Sequence, residues 1–351
     1  MPLSSAQLVA DPVGRYPRAT VACFDPTRGS LPRRELDEAR TVEYLERLAA
    51  LGVEGVLIAS STGHGHLRRV PELEAWLRCA ARADIGDTVR MALLRPEDGA
   101  AANRRLLDVA ADAGYPVVFL RPATGLSPPV GGERIYDSLA PLVAAAAERG
   151  LAVGLYSIPD VSGVPLSPEV AARLVGAPGG DRIIAVKVTE ADYGASTLRF
   201  LAHPDLRHLK VVEGWDPHLG RALQDGPAFD AGGRQRAGIT SGVMALAVHQ
   251  YLHLLDAAER ADWAEVSQAQ AAVTLLFGAM QDDPGRFADL QRAKQIMGLG
   301  QPLLGAVNPA QAERVLAALE RVPREADRRR LARSLDLMGD GPFHERLTAL
   351  A

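Results

Sequence analysis

Short apolar runs alternate with amphipathic segments along roughly the first 260 residues of the chain. Each run holds four to eight mostly aliphatic residues with little polar alternation. Such runs are typical of strands that are buried on both faces, as in a parallel sheet. Eight strands are predicted in this way: Ala19–Phe24, Val53–Ser60, Val89–Leu94, Val117–Arg121, Ala152–Tyr156, Ile183–Val188, Leu209–Glu213 and Ala237–Thr240.

The segments between these strands carry the signals of helix ends. Ser167 is placed to cap a helix whose first residue is Pro168, a position that tolerates proline. Three helical segments stop directly before Gly52, Gly114 and Gly150, which fits a left-handed C-terminal cap. Helices are predicted near Arg33–Leu51, Pro71–Ala83, Ala100–Ala113, Glu133–Arg149, Ser167–Val175, Ala195–Ala202, Pro217–Leu223 and Val243–Ala258.

Eight strand–helix units in succession predict an α/β fold, a closed (β/α)8 TIM barrel with a C-terminal helical appendage. A doubly wound open sheet is the alternative, because spacing alone does not distinguish the two. We expect an irregular N-terminal extension over 1–17, the barrel over 18–260 and a helical region over 261–351. In that last region helices are predicted over 262–281, 286–298, 308–321 and 323–337.

Composition narrows the class of protein. With 351 residues, 47% of them hydrophobic, the chain can form a barrel of roughly 250 residues and an appendage. The net charge of −4 and the dispersed basic residues argue against a nucleic-acid partner, and no run of 18 apolar residues suggests a membrane partner. We expect a cytoplasmic protein, since the N-terminus lacks a signal-peptide pattern. Cys23 and Cys79 are too few for a disulfide framework or a structural zinc site.

Lys187 closes the apolar run Ile183–Val186, which places it at the C-terminal end of the predicted sixth strand. In an α/β barrel these strand ends form the catalytic rim. An ammonium held there against apolar walls loses solvation, so its pKa falls and neutral amine becomes available near pH 7. Neutral amine can attack a ketone and form a Schiff base. A lysine that simply reaches solvent is the plainer interpretation.

Further polar residues follow the other predicted strands, and a barrel would bring them to the same rim. A phenol at Tyr156 could relay protons at the attacked carbon. The small-residue turn at Ser61 and Thr62 could present hydroxyl and N–H donors to a carboxylate. His64 and His66 lack a third ligand at a suitable spacing, so no metal site is predicted. The remaining candidates for substrate contacts are Arg121, Thr189, Asp216 and Ser241.

Three strings occur in order at these strand ends: SSTGH, YSIPDVSGVPLS and AVKVTEAD. Over roughly residues 18–300 the sequence thereby resembles the dihydrodipicolinate synthase/N-acetylneuraminate lyase family of Schiff-base aldolases. The resemblance implies that Lys187 forms the imine, that Tyr156 is the catalytic phenol, and that the Ser61–Thr62 turn binds the substrate carboxylate. Thr189 and Asp216 resemble the lyase branch. The resemblance also implies a homo-oligomer, either a tetramer or a dimer.

Several positions depart from the family pattern. His64 stands where the G-x-T-G-E motif has glutamate, and Val161 stands where the synthase branch has its substrate-gripping arginine. The relay tyrosine after the fourth strand is absent, since Ala123 and Thr124 follow Pro122. We therefore expect that the chain does not make dihydrodipicolinate. Arg121 is the predicted grip on an anionic second substrate, with a rim salt bridge as its alternative, and His64 could carry a proton because its ordinary pKa is about 6.5.

These observations predict a Schiff-base carbon–carbon lyase that takes a 2-oxo acid such as pyruvate and an aldehyde-type partner, without metal or organic cofactor. A metal- or phosphate-dependent barrel isomerase is one alternative, because Gly238–Gly242 could cradle a phosphate. A catalytically silent barrel that binds 2-oxo acids is the other.

Overall fold

Eight parallel strands close into a barrel in the computed structural model, which describes residues 3–29, 34–129, 131–281, 290–303 and 309–351. Each strand pairs with its neighbours in chain order, and the first pairs with the eighth. The predicted TIM barrel is therefore confirmed, and the open doubly wound sheet is excluded. In chain order the barrel strands are Ala19–Ala22, Gly55–Ile58, Val89–Leu94, Val117–Leu120, Ala152–Ser157, Ile183–Val188, Lys210–Glu213 and Ala237–Ser241.

Helices surround the barrel and begin and end largely where the sequence signals them. The Ser167 side chain accepts a hydrogen bond from the Val170 N–H at the predicted cap. Gly52, Gly114 and Gly150 all have positive φ, so the predicted glycine caps are confirmed. The outer helices are Glu38–Ala50, Val70–Ala81, Ala100–Asp112, Gly132–Glu148, Pro168–Val175, Thr197–Ala202, Leu219–Asp225 and Val248–Glu259.

Shorter elements complete the loops. Thr27–Arg28 and Glu35–Leu36 form an antiparallel ribbon outside the barrel, and Pro159–Ser162 is a single helical turn. Turns of 3-10 helix occur at Gly65–Leu67, Pro96–Asp98, Gly180–Arg182, Pro204–Leu206, Asp216–His218, Gly226–Phe229 and Val243–Leu246.

The N-terminal extension is not irregular, contrary to the expectation, but forms the helices Ser5–Ala10 and Pro12–Arg15. Leu8 and Tyr16 are buried and pack with interior barrel residues such as Met91. This burial of apolar surface stabilises an extension whose own periodicity is too short to predict helix. The extension closes the N-terminal end of the barrel.

Helices also follow the barrel, as predicted. The described ones are Trp263–Gly278, Gln291–Ile296, Pro309–Glu320, Glu325–Leu335 and His344–Leu350. The predicted break at Asp283–Gly285 and the predicted helix start at residue 286 lie outside the described residues, and the boundary near residue 260 stays a prediction. None of the helices in the described ranges is long and apolar enough to cross a membrane.

Candidate active site

Lys187 and Tyr156 face each other across neighbouring strands. The parallel register of the fifth and sixth strands pairs Tyr156 with Lys187 directly. Lys187 Nζ donates a hydrogen bond to the Tyr156 hydroxyl at 2.7 Å and lies 3.9 Å from the centre of the phenol ring. Both side chains are buried, Lys187 with only 4% of its surface exposed. The amine and the phenol therefore share one dry position at the C-terminal rim of the barrel.

Burial lowers the pKa of Lys187 from 10.5 to about 7. Desolvation of the ammonium is the main cause, and the carboxylates of Asp216 and Glu213 offset part of it. A substantial fraction of the side chain is then neutral amine at pH 7, as a nucleophile must be.

The phenol of Tyr156 stays protonated at neutral pH. Burial raises its pKa, while a hydrogen bond with Thr189, whose Oγ1 lies 3.2 Å from the phenol oxygen, partly opposes that rise. Tyr156 is thus connected both to the amine and to Thr189, and it can pass a proton between them and a bound substrate.

Asp216 places a buried carboxylate next to the amine. Its Oδ1 accepts hydrogen bonds from the hydroxyls of Ser241 and Tyr251. Burial raises the pKa of Asp216 to about 6, although these hydrogen bonds and the charge of Lys187 lower it. The carboxylate is therefore ionised at pH 7, and it stabilises the ammonium form of Lys187.

Strand seven ends in a second buried carboxylate with a structural role. Glu213 accepts hydrogen bonds from Thr197 at 2.7 Å and from the N–H groups of Gly214 and Trp215 at 3.0 and 2.8 Å. Burial raises the pKa of Glu213 to about 8. A Cβ on Gly214 would lie 2.3 Å from Thr189 Oγ1 and 3.1 Å from Lys187 Cε, so this tight turn requires glycine.

Lys187, Tyr156 and Asp216 line a cavity of about 300 Å³ at the rim of the barrel. A larger groove, of about 870 Å³, lies at the opposite end, but Lys187 does not line it. The smaller cavity is the candidate active site, because it contains an amine beside a phenol, the arrangement that covalent catalysis requires. The smaller cavity is lined by Thr62, Tyr156, Asp160, Lys187, Thr189, Gly214, Trp215, Asp216, Gly242, Val243, Phe277, Gln281 and Leu290.

The structure brings five of the nine predicted site residues to this cavity: Lys187, Tyr156, Thr62, Thr189 and Asp216. Ser61 and Ser241 are buried behind its wall. Ser241 reaches the site through Asp216, whereas the Ser61 hydroxyl has no hydrogen-bond partner in the part of the chain that the structure describes.

Arg121 does not line the cavity, so its predicted grip on an anionic second substrate disagrees with the structure. Its guanidinium is buried and pairs with Glu97, with 2.6 Å between Nη2 and Oε1. It also donates a hydrogen bond to the carbonyl of Pro122 at 2.7 Å. Nη1 and Nη2 are thus held by the protein, while Nε has no hydrogen-bond partner among the described residues. The salt bridge of the alternative interpretation is present.

The predicted role of His64 as a proton carrier near neutral pH also disagrees with the structure. Its backbone has a φ of 54°, and its ring is buried outside the cavity. Burial lowers the pKa of His64 to about 4, opposed by the charge of Asp25. The imidazole is therefore neutral at pH 7, where it has almost no acid function.

Several residues of the site were not predicted. Asp160 lies in sequence between Tyr156 and Val161, which the sequence analysis names, but no pattern singled it out. Tyr251 belongs to a helix whose apolar spacing indicates that the side chain is buried, but that spacing does not indicate which residue its hydroxyl contacts. Gln281 and Leu290 come from the C-terminal region, for which sequence alone gave no sign of proximity. Among the described residues, no group of three or more His, Cys, Asp and Glu side chains could hold a metal ion.

No protein-family model matches the sequence. Over 194 residues the chain is 31% identical to the 4-hydroxy-tetrahydrodipicolinate synthase of Xylella fastidiosa, a match that covers 54% of this chain and 59% of that protein. It is 28% identical over 189 residues to an uncharacterized DapA-like lyase of Chloroflexus aurantiacus, covering 53% of this chain. The chain matches about three fifths of the length of each relative, 59% in both cases.

Solved structures show the same fold. YagE, a prophage protein of the dihydrodipicolinic acid synthase family from E. coli K12, was solved with pyruvate and has a TM-score of 0.71 at 17% identity. That match covers 88% of this chain and 99% of YagE. The sialic acid aldolase of Ruminococcus gnavus, solved as a catalytic lysine mutant, has a TM-score of 0.70 at 17% identity and covers 87% of this chain and 95% of that one.

This chain is similar in sequence to a synthase and a lyase-like protein of the dihydrodipicolinate synthase/N-acetylneuraminate lyase family. The resemblance read from the three strand-end strings is thereby confirmed. This similarity does not name a substrate, because the proteins that match include both a synthase and a sialic acid aldolase.

Proposed function

We propose that this chain is a Schiff-base carbon–carbon lyase or aldolase that binds pyruvate or a related 2-oxo acid on Lys187. The observation that carries the proposal is the 2.7 Å contact between the buried amine of Lys187 and the hydroxyl of Tyr156, inside a cavity that Thr62 also lines. The family supports it, since its solved members include a pyruvate complex and an aldolase with a catalytic lysine.

The chemistry follows from the positions of these groups. Neutral Lys187 attacks the keto carbon, and the carbinolamine that forms loses its hydroxyl as water when a proton is supplied to that oxygen. Tyr156, in contact with the amine, is placed to supply and recover this proton. The resulting iminium accepts the electron pair of the bond between its α and β carbons when that bond breaks and the β carbon leaves as an aldehyde. In the opposite direction it releases a methyl proton to give the enamine that attacks an aldehyde.

The lining of the cavity suggests the class of the second substrate. Asp160 and Asp216 supply carboxylates and Thr189 supplies a hydroxyl, whereas Lys187 is the one cation among the described lining residues. An anionic aldehyde would meet like charge there, at a cost that is large in a buried site. We therefore propose a neutral, hydroxyl-bearing aldehyde whose hydroxyls donate to these acceptors.

Reductive trapping tests the proposal. The protein is treated with borohydride in the presence of pyruvate, and the adduct is located by mass spectrometry of peptides. We expect one adduct, on the peptide that contains Lys187. Absence of an adduct would remove the proposal. In that case inhibition by a chelator or by inorganic phosphate would favour the isomerase alternative. Binding of pyruvate without an adduct and without turnover would favour the silent barrel.

In the substitution Asp216→Asn, the fall in the rate of adduct formation on the acidic side of its pH profile is expected to occur at lower pH. Above pH 6 or so Asp216 is ionised, and its charge raises the pKa of Lys187. Without that charge the pKa of Lys187 falls below about 7, so neutral amine persists in more acidic solution. The measurement is the rate of pyruvate adduct formation as a function of pH, with cyanoborohydride as the trap.

Tyr251→Phe provides a graded companion to this variant. Loss of its hydrogen bond raises the pKa of Asp216, so more of that carboxyl group is neutral near pH 6. The acidic side of the pH profile therefore also moves to lower pH, by a smaller amount than in Asp216→Asn. An acidic side that stays in place in both variants would show that Asp216 does not control the amine.

A further inference from the structure

A buried cluster of charges ties the C-terminal helix Gln291–Ile296 to two loops at the rim of the barrel. Asp25, which follows the first strand, accepts from Arg68 Nη2 at 2.6 Å through one oxygen and from Lys294 Nζ at 3.0 Å through the other. All three side chains are at most 1% exposed. We call Asp25, Arg68 and Lys294 the rim charge cluster.

The rim charge cluster carries more positive than negative charge. Within the described ranges, Asp25 is the one carboxylate that pairs with either Arg68 or Lys294. Burial lowers the pKa of Lys294 to about 8, yet the amine still holds its proton at pH 7. Counted over the described residues alone, two cations around one carboxylate leave a net charge of about +1 away from water, an arrangement that costs stability unless an anion comes near.

The rim charge cluster lies against the back of the turn that reaches the cavity through Thr62. The Ser60 hydroxyl donates to the Cys23 carbonyl at 2.9 Å, and a Cβ on Gly63 would lie 2.9 Å from the Asp25 nitrogen. The turn is therefore in contact with the loop that carries Asp25. Arg68 lies just beyond the same turn in the chain, with its guanidinium 5.6 Å from the centre of the Trp76 ring.

The helix that carries Lys294 also holds this turn directly. Gln291, which has no exposed surface, donates from Nε2 to the Thr62 carbonyl. In a trans peptide the C=O and N–H groups point in opposite directions, so this bond turns the Gly63 N–H away from the helix. One residue earlier, Leu290 lines the cavity. A single short segment therefore reaches the cavity wall, the turn and the rim charge cluster.

We propose that the rim charge cluster and Gln291 position the Ser61–Thr62 turn and make it electropositive, so that it binds the carboxylate of the 2-oxo acid. This inference rests on the proposed function and extends it to the C-terminal region, which becomes part of the site for the first substrate. Lys294 and Gln291 are positioning residues, because they act through the turn and do not line the cavity. Their contribution is to the affinity for the keto acid rather than to the chemical step.

Substitution Lys294→Met tests the inference in the full-length protein. It removes the charge and keeps a long apolar side chain in the buried space. We expect the half-saturating concentration of pyruvate to rise about tenfold or more, the size of effect that one nearby charge has at intermediate dielectric. The maximal rate of adduct trapping should stay close to that of the wild type. Lys294→Arg keeps the charge and is expected to restore most of the affinity.

Lys210→Met is the matched control. Lys210 is also a buried lysine whose pKa burial lowers to about 8, but it lies at the N-terminal end of strand seven and donates to the Gln235 carbonyl at 2.7 Å. Loss of this buried hydrogen bond should lower the stability of the fold, as loss of the Lys294 contact does. It should leave the half-saturating concentration of pyruvate unchanged. Gln291→Leu, which removes a hydrogen bond without removing a charge, provides a second variant if Lys294→Met folds poorly.

Two readouts separate this inference from the proposed function. Trapping reports the covalent step, whereas the increase in melting temperature caused by pyruvate reports total binding, whether or not an imine forms. If the wild type binds pyruvate without an adduct, the proposed function fails and the second readout still tests the cluster. Unchanged pyruvate affinity in both Lys294→Met and Gln291→Leu would overturn the inference, as would an equal loss of affinity in Lys210→Met.

Discussion

Lys187→Ala is expected to abolish the borohydride-trapped adduct with pyruvate and to reduce carbon–carbon lyase activity to background. The covalent step needs an amine at this position, and the described part of the cavity wall contains no other lysine. The measurement is the mass of the intact protein after treatment with pyruvate and borohydride, together with turnover of a hydroxylated aldehyde. The expected loss is complete, because no other described residue of the cavity wall carries an amine that could form an imine.

Lys210→Met serves as the control for this experiment. It removes a buried amine from the opposite end of the barrel and leaves Lys187 intact, so this variant is expected to form the full amount of adduct. The folded state of each variant is checked by its melting temperature. An undiminished adduct in Lys187→Ala would mean that another lysine reacts, and the assignment of the site would then be wrong.

Tyr156→Phe is expected to lower turnover by about 10²- to 10⁴-fold, the usual contribution of a positioned proton donor. The phenylalanine ring fills the same buried space but lacks the hydroxyl that contacts Lys187 at 2.7 Å. Water must then supply the proton when the carbinolamine collapses. The measurement compares the turnover rate with the final yield of trapped adduct. After long incubation that yield should reach the wild-type level, because the Lys187 amine is still present.

Tyr115→Phe is the matched control for the phenol. Tyr115 is a buried tyrosine whose hydroxyl donates to the Leu77 carbonyl at 2.8 Å, away from the cavity. Its loss should cost some stability and leave turnover nearly unchanged. Equal turnover in Tyr156→Phe and the wild type would show that another group moves the proton.

The barrel was predictable because its signals are local. Each buried strand is a short aliphatic run, and several helix ends carry a serine, proline or glycine. Lys187 was predictable for the same reason, since the run that buries it is directly adjacent in sequence. Tyr156 and Thr189 followed once the strands were assumed to close into a ring. The N-terminal extension was not predictable as helix, because its helices are stabilised by the barrel end that they cover.

The sequence predicted where charged and titratable side chains lie better than it predicted their charge partners and pKa values. Arg121 stands at a strand end, which predicts a place at the rim, but only the fold reveals that Glu97 occupies its guanidinium. His64 has an ordinary pKa suited to proton transfer, but burial, which no sequence pattern quantifies, lowers that pKa to about 4. In both cases the deciding quantity is the surroundings of a side chain rather than its type.

The order of residues along the chain thus sufficed for the strands and helices and for the positions of Lys187 and Tyr156 at strand ends, because periodicity and strand ends are properties of contiguous residues. Closure of the strands into a barrel, rather than an open sheet, was decided by the tertiary structure. The tertiary structure alone decided the partners of Asp216, the withdrawal of Arg121 from the cavity and the rim charge cluster. Asp25 and Lys294 meet at 3.0 Å although 269 residues separate them in the chain. No local pattern encodes such a contact, since it exists only after the barrel has closed and the C-terminal helix has packed against its rim.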